Sequence, residues 1–150
     1  MTVSDKEVAA LIQRSADANA ALMRGDVDQY RASVPLTDDF TLMSPFGGTP
    51  THGQIAEARW QAMKRFFRNG TLEQELIQSW ATADMVVLAV IERCRVEVGD
   101  VPLQDWALRV TLVYRRVGAE WRLAHRHADP LGRSVSVEQA AAIARGEVAA

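Results

Sequence analysis

The chain lacks several features that mark whole classes of protein. Cys94 is its only cysteine in 150 residues, so no internal disulfide can form, and a reducing compartment such as the cytoplasm fits. No apolar run approaches the roughly 20 residues of a membrane span. The opening "MTVSDKEVAA" has neither the basic nor the apolar stretch of a secretory signal. We therefore expect a cytoplasmic protein with no membrane contact.

A concentrated basic surface is also missing. The formal net charge is −2, which argues against a nucleic-acid partner. Hydrophobic residues make up 48% of the chain and charged residues 24%, as in ordinary globular proteins. There are no repeats, low-complexity tracts or linkers. We predict one domain over 1–150, with a core at about 5–132 and a C-terminal helix and tail at 133–150.

The N-terminal part carries helix signals. Ser4 and Glu7 form a capping box that predicts the start of a first helix, and Gly25 is placed to end it. Asp26 is a cap for a short second helix that ends before Pro35. Both helices should therefore lie ahead of any sheet.

A strand and a third helix are predicted next. "DDFTLMSP" alternates as a strand, with Phe40 and Leu42 on one side, and "FGGTPTHG" is a loop by its glycines and prolines. Apolar residues at helical spacing predict a third helix over 53–69. A last, alanine-rich helix should begin after Ser136.

After Gly70 the apolar period changes to that of strands. Four long β-rich segments follow, parted by turn residues at 83–84, 99–100 and 118–119. Helices that precede a meander of strands favour an α+β fold over a parallel doubly wound sheet.

Three segments resemble a known group of proteins. "RGDVDQY", "DDFTLMSPFGGTPTHG" and "WRLAHRHADP" are similar to the SnoaL-like and ketosteroid-isomerase-like families of the nuclear transport factor 2-like (NTF2-like) superfamily. The last also resembles the closing strand of the calcium/calmodulin-dependent kinase association domain. The resemblance covers about residues 5–132. It implies a cone-shaped fold, with N-terminal helices packed in a curved antiparallel sheet and a pocket at one end.

The resemblance does not extend to the steroid isomerase reaction. The position of that enzyme's catalytic base is taken here by Ser44, and those of its two oxyanion-hole donors by Thr111 and a residue near Ala18. A serine of ordinary pKa cannot remove a carbon-bound proton, and alanine supplies no donor. The scaffold is therefore predicted without that chemistry.

A tight turn at 99–100 would place Glu92 and Arg109 on the pocket face of one hairpin. Either they form a buried ion pair that stabilises the sheet, or Arg109 holds an anionic ligand. The opposite face would then be continuously apolar. In this family the outer sheet face commonly packs on a second subunit, so this face predicts a homodimer interface, formed by Leu108, Val110, Leu112 and Tyr114.

The segment "EWRLAHRHADPLG" carries two histidines and a carboxylate at strand spacing. Ungapped alignment to ketosteroid isomerase points Ala124, Arg126 and Ala128 into the pocket, and Trp121, Leu123, His125, His127 and Asp129 outwards. A one-residue bulge would reverse this and make His127 a general base oriented by Asp129. A metal site would need a third ligand, and none is evident, so no metal is expected.

Two functions follow as hypotheses. The first is a cofactor-free acid–base enzyme, an isomerase, dehydratase or hydrolase, acting on a small, partly apolar molecule that could be anionic. Glu92 would transfer the proton, Arg109 would hold a carboxylate or enolate oxygen, and His127 is the third catalytic candidate. Ser44, Trp60, Thr111 and Arg126 would contact the substrate. The second hypothesis is a non-catalytic ligand-binding or dimerisation module of the same fold.

Overall fold

The computed structural model describes residues 3–147; Met1, Thr2 and the last three residues of the predicted tail lie outside them. Four helices and six strands follow one another along the chain: α1 (Asp5–Met23), α2 (Val27–Ser33), β1 (Leu36–Met43), β2 (Thr51–His52), α3 (Glu57–Met63), β3 (Phe67–Ala81), β4 (Met85–Val98), β5 (Val101–Val117), β6 (Glu120–Pro130) and α4 (Val137–Ala144). Within 3–147, no helix combines the length and the hydropathy that a membrane span needs.

The predicted caps of the first two helices are confirmed. The Ser4 hydroxyl accepts from the Glu7 amide at 3.1 Å, and the Glu7 carboxylate accepts from the Ser4 amide at 2.9 Å. Gly25, at φ 84°, ends α1 in the left-handed region. The Asp26 carboxylate caps α2 by accepting from the Gln29 amide at 3.1 Å. Local hydrogen-bonding chemistry thus places the two helices that cover the sheet.

The third helix is shorter than the predicted 53–69. At its N-terminal side, Thr51–His52 pairs with β1 as the short strand β2. At its C-terminal side, Phe67 already begins β3, opposite Val98 of β4, and Asn69 has a φ of 54°. The apolar spacing of this segment suits a helix, but pairing with a distant strand overrides it.

The sheet has the order β2-β1-β6-β5-β4-β3, with β6 parallel to β1 and the other neighbouring pairs antiparallel. The predicted α+β architecture and the four-strand meander are confirmed, and the curved sheet is not closed. Helix α1 lies against β3 and β4. The buried side chains lie on this inner face of the sheet, so the inner face is the place to look for a ligand site.

The turn at 99–100 is confirmed, but the register beyond it is not the predicted one. Val98 pairs with Val101, whereas Val96 pairs with Gln104, so β5 carries one extra residue at 102–103. Side chains alternate along a strand, and this bulge therefore turns the rest of β5 over.

The predicted dimer face is wrong in consequence. Its four side chains point into the core and are at most 6% exposed: Leu108, Val110, Leu112 and Tyr114. Arg109 and Thr111 occupy the outer face instead. A homodimer stays a prediction, without these residues as its interface.

A second bulge lies in β6. Tyr114 pairs with Leu123 and Val113 with His125, which leaves Ala124 as the extra residue. Trp121 and Leu123 therefore point into the core, whereas the ungapped alignment directed them outwards. Arg126 points inwards, as that alignment predicted. The alternative prediction placed a one-residue bulge in this strand, and such a bulge is present. It directs Trp121 and Leu123 inwards, whereas that prediction directed the histidines inwards.

Gly70 lies where β3 passes the end of α1 with no space for a side chain. A Cβ built there would be 2.6 Å from the Met23 carbonyl oxygen and 2.7 Å from a methyl group of Val96. We expect Gly70→Ala to lower the free energy of unfolding by about 1–3 kcal/mol, because backbone and packed side chain must both shift. Urea unfolding measures it. Gly132→Ala is the control, since nothing lies within 4 Å of its added Cβ; equal stability of the two variants would contradict the prediction.

Candidate active site

A cavity of about 330 Å³ opens between the helices and the inner face of the sheet. Its volume is at the small end of the range for ligand pockets. The residues around it come from two separate clusters of the hydrophobic core, one around Trp60 and one around Cys94. The apolar side chains that line it are Leu22, Met23, Leu36, Phe40, Leu42, Pro45, Phe46, Ile55, Trp60, Ala62, Met63, Phe66, Phe67, Trp106 and Leu108.

Glu92 of β4 and Arg126 of β6 form an ion pair on the cavity wall. Arg126 Nη1 donates to Glu92 Oε2 and Nη2 donates to Oε1, both at 2.8 Å. The strands β4 and β6 are separated by β5, so the two side chains meet across the inner face of that strand. The Glu92 side chain is 2% exposed and that of Arg126 is 15% exposed. Two parallel charge-assisted hydrogen bonds fix the orientation of both groups.

The electrostatics of the pair follow from burial. Burial alone would lower the pKa of Arg126, but the charge of Glu92 and its two hydrogen bonds raise that pKa above its ordinary value. Arg126 is therefore a permanent cation. Charges this far from water are tolerated because each compensates the other.

Four further polar side chains line the cavity: Tyr30, Ser44, Arg59 and Cys94. Burial raises the pKa of Tyr30, on α2, to about 12. Burial and the nearby charge of Glu92 raise the pKa of Cys94 to about 12 as well, so its thiol stays protonated at neutral pH. Cys94 is for this reason a poor nucleophile, and Tyr30 is a hydrogen-bond donor.

The structure brings four of the predicted site residues together. Glu92, Arg126, Ser44 and Trp60 all line the cavity. Ser44 follows β1 directly, and Trp60 lies in α3 with its ring centroid 6.0 Å from that of Tyr30. A Glu92–Arg109 pair was one of two alternatives expected, and the arginine that pairs with Glu92 is Arg126 instead.

Arg109, Thr111 and His127 lie in a groove on the outer face of the sheet, away from the cavity. The Arg109 side chain is 64% exposed and reaches Asp129 only at 3.9 Å. The prediction that Arg109 and Thr111 face the pocket is wrong, because the bulge in β5 reverses their direction. His127 Nε2 is 3.4 Å from Asp129, with both side chains nearly half exposed. The expected placement of the histidines outside the cavity agrees with this position.

His125 contacts the neighbouring strand, with Nδ1 2.6 Å from the Thr41 hydroxyl. Across residues 3–147, no three His, Cys, Asp or Glu side chains are arranged to hold a metal ion. His125 thus bonds to the neighbouring strand, and His127 lies beside Asp129.

Sequence reasoning missed Tyr30 as a cavity residue. Val27, Tyr30 and Val34 recur at spacings of three and four and are all buried. This spacing was a usable signal, because a tyrosine on the buried face of a helix carries its hydroxyl into the core.

The pattern of the family model for the SnoaL-like domain matches residues 9–130. The chain belongs to the SnoaL-like family. No curated protein matches this SnoaL-like chain in sequence.

Several solved structures share the fold. A protein from Thiobacillus denitrificans, provisionally assigned as a calcium/calmodulin-dependent protein kinase type II association domain, is 27% identical, with a TM-score of 0.62 over 79% of this chain and 93% of its own. An NTF2-like protein of unknown function from Pseudomonas putida is 25% identical, with a TM-score of 0.62 over 90% and 89%. A provisionally assigned dehydratase of the NTF2-like family from Streptomyces avermitilis is 20% identical, with a TM-score of 0.67 over 87% and 100%.

The ion pair can be tested by a double-mutant cycle on stability. Arg126→Met leaves the buried carboxylate of Glu92 uncompensated and should cost about 3–5 kcal/mol of unfolding free energy. Adding Glu92→Leu removes both charges and should restore most of that loss. Chemical denaturation measures each variant.

The matched control is the exposed pair of Arg95 and Asp105, 3.1 Å apart. Arg95→Met should cost less than about 1 kcal/mol, because exposed pairs contribute little. A double variant as unstable as Arg126→Met alone would mean that the side chains matter for their packing and not for their charge.

Tyr30 and Tyr114 are the only tyrosines of the chain, and burial raises the pKa of both. Ultraviolet titration should therefore show Tyr30 largely un-ionised at pH 11 in the folded protein and Tyr114 ionising above its ordinary range, whereas in urea both ionise near pH 10. Because the folded-state pKa of Tyr30 is raised to about 12, the stabilisation that it contributes is complete below about pH 10 and is lost as the pH rises towards 12. Circular dichroism reports whether the chain is still folded, and a folded protein that ionises near pH 10 would refute the burial.

Proposed function

We propose that this SnoaL-like protein binds a small, mostly apolar organic molecule in the cavity and catalyses a cofactor-free acid–base reaction on it. Glu92 is the group that transfers the proton. The observation that carries the proposal is a buried, oriented carboxylate on the wall of a mostly apolar cavity. Titratable groups desolvated in a cleft are the usual location of acid–base catalysts.

Stability alone does not account for such a pair. Buried ion pairs are often no better for folding than apolar side chains of the same volume. Arg126 binds both oxygens of Glu92, yet a carboxylate oxygen has a second lone pair with which it can accept a proton from a ligand. The guanidinium therefore orients the carboxylate without using all of its accepting capacity.

The chemistry that fits is removal of a proton from a carbon next to a carbonyl group. The C–H electron pair becomes the enolate, and the proton passes to Glu92, which returns it to the same carbon or to another one. Return to another carbon is isomerisation, and loss of a β-hydroxyl as water is dehydration. The name of the Streptomyces avermitilis relative as a dehydratase supports this class of reaction, although that likeness itself concerns the fold.

A second candidate function is ligand binding without catalysis. It is favoured by the completeness of the ion pair, since each Glu92 oxygen already accepts one hydrogen bond from Arg126. The 27% identity to the protein assigned as a kinase association domain points the same way. In this case Glu92 and Arg126 stabilise the sheet and shape the cavity.

Exchange of deuterium into 2-tetralone tests the catalytic proposal. The compound is small and mostly apolar, and its C1 protons are acidic because they flank both the ring and the ketone. In D₂O the protein should accelerate the loss of the C1 proton signal in the NMR spectrum. Glu92→Gln should lower the protein-catalysed rate at least about 100-fold, the smaller end of what a general base contributes.

Glu75→Gln is the matched control, because Glu75 also pairs with an arginine, Arg93 at 3.1 Å, but on an exposed part of β3 and β4. It should exchange at the wild-type rate. Glu92→Gln combined with Arg126→Gln removes both charges and guards against misfolding of the single variant. Exchange no faster than in buffer would remove the catalytic proposal, and binding without exchange would favour the second candidate.

A further inference from the structure

The cavity wall carries one positive charge that no other wall residue compensates. Three charged side chains line the cavity, and two of them, Glu92 and Arg126, bond to each other at 2.8 Å. The third is Arg59, on α3. Within residues 3–147, no salt bridge joins Arg59 to an aspartate or a glutamate. The uncompensated charge of the cavity therefore belongs to Arg59.

The Arg59 guanidinium is held in place and still has donors to offer. Its Nη1 donates to the Thr51 hydroxyl at 2.9 Å, and Thr51 lies in β2, which is paired with β1. A guanidinium has five N–H donors, so most of them remain for another partner. Arg59 is exposed and also lines the cavity, which places it at the entrance, where solvent and a ligand can both reach it.

The segment around Arg59 is basic, although the whole chain has a net charge of −2. Between residues 57 and 68, four basic residues stand against one acidic residue, Glu57. That carboxylate is already engaged, because it accepts from Arg31 at 3.0 Å and from Gln61 at 2.9 Å. A concentration of positive charge beside an apolar cavity raises the local concentration of anions. The field of this segment thus has the same sign as the charge that Arg59 presents.

We propose that Arg59 binds a carboxylate of the ligand at the cavity entrance, so that the protein takes apolar organic acids with a single negative charge. The inference rests on the proposed function, whose substrate class it names. One carboxylate neutralises the charge that the wall retains, and its two oxygens match the planar fork of a guanidinium. The apolar part of the acid fills the interior, where Glu92 lies. A carboxylate at the entrance keeps part of its hydration, which lowers the cost of taking a charge out of water.

The experiment compares two compounds of one shape, 2-naphthylacetate, which is an anion at pH 7, and its neutral amide, 2-naphthylacetamide. Isothermal titration calorimetry measures the dissociation constant of each for the wild type and for Arg59→Gln. We expect Arg59→Gln to weaken binding of 2-naphthylacetate about 3- to 10-fold, since hydrogen bonds between charged groups are strong but exposure to solvent reduces their effect. Binding of 2-naphthylacetamide should change less than about twofold.

The matched control is Arg65→Gln, which removes the same charge from the same basic segment, but from a side chain that does not line the cavity. It should change both constants less than about twofold, and thermal unfolding checks that both variants are folded. Equal effects of Arg59→Gln on the two compounds, no effect on either, or an equal effect of Arg65→Gln on the acid would overturn a direct contact with Arg59.

Failure of 2-naphthylacetate to bind the wild type would also overturn this inference. Glu92-dependent deuterium exchange into the neutral 2-tetralone does not need Arg59, so it would continue if this inference alone were wrong. Loss of both acid binding and exchange would overturn the proposed function as well. The two failures are therefore distinguishable.

Discussion

The two-residue period of side chains along a strand is the constraint on which the site depends. Glu92 and Arg126 lie on different strands, and each reaches the cavity only because its strand is in one particular register. The bulges in β5 and β6 set that register. A shift by one residue in β6 would place the guanidinium on the outer face and leave Glu92 alone in the core, at a cost of several kcal/mol. The ion pair and the register therefore stabilise each other.

Much of the fold could be predicted from the sequence because its signals are local. Ser4, Asp26 and Ser136 cap helices by bonding amides three residues away, and Gly99 and Gly118 adopt the positive φ values of the predicted turns. The register of β5 is not local in this sense. It depends on how one extra residue is accommodated against β4, a distant strand.

One signal for that bulge was nevertheless present. Pro102 lies at the extra residue of β5, and a proline inside a strand is confined to edges and bulges because it has no amide hydrogen to donate. Counting pairs back from the turn without allowing for Pro102 placed Arg109 in the pocket. This error did not affect the expected orientation of Arg126, because that orientation came from the alignment to a related strand. The bulge at Ala124 precedes Arg126 and changes the direction only of the residues before it.

The distribution of polar groups separates the cavity from the rest of the core. Among the described residues, Glu92 is the one acidic or basic residue that is buried from solvent. Each of the other ion pairs includes at least one side chain that is more than a third exposed. The other buried polar residues, Ser15, Asn19 and Thr37, are uncharged. Residues that break the local apolar pattern of a sequence are found mainly at functional sites. The buried ion pair lies on the wall of one cavity of ligand size, so this departure coincides with the space that a ligand would occupy. This coincidence favours a ligand site over a defect of packing, since a defect would be relieved by apolar side chains of the same volume.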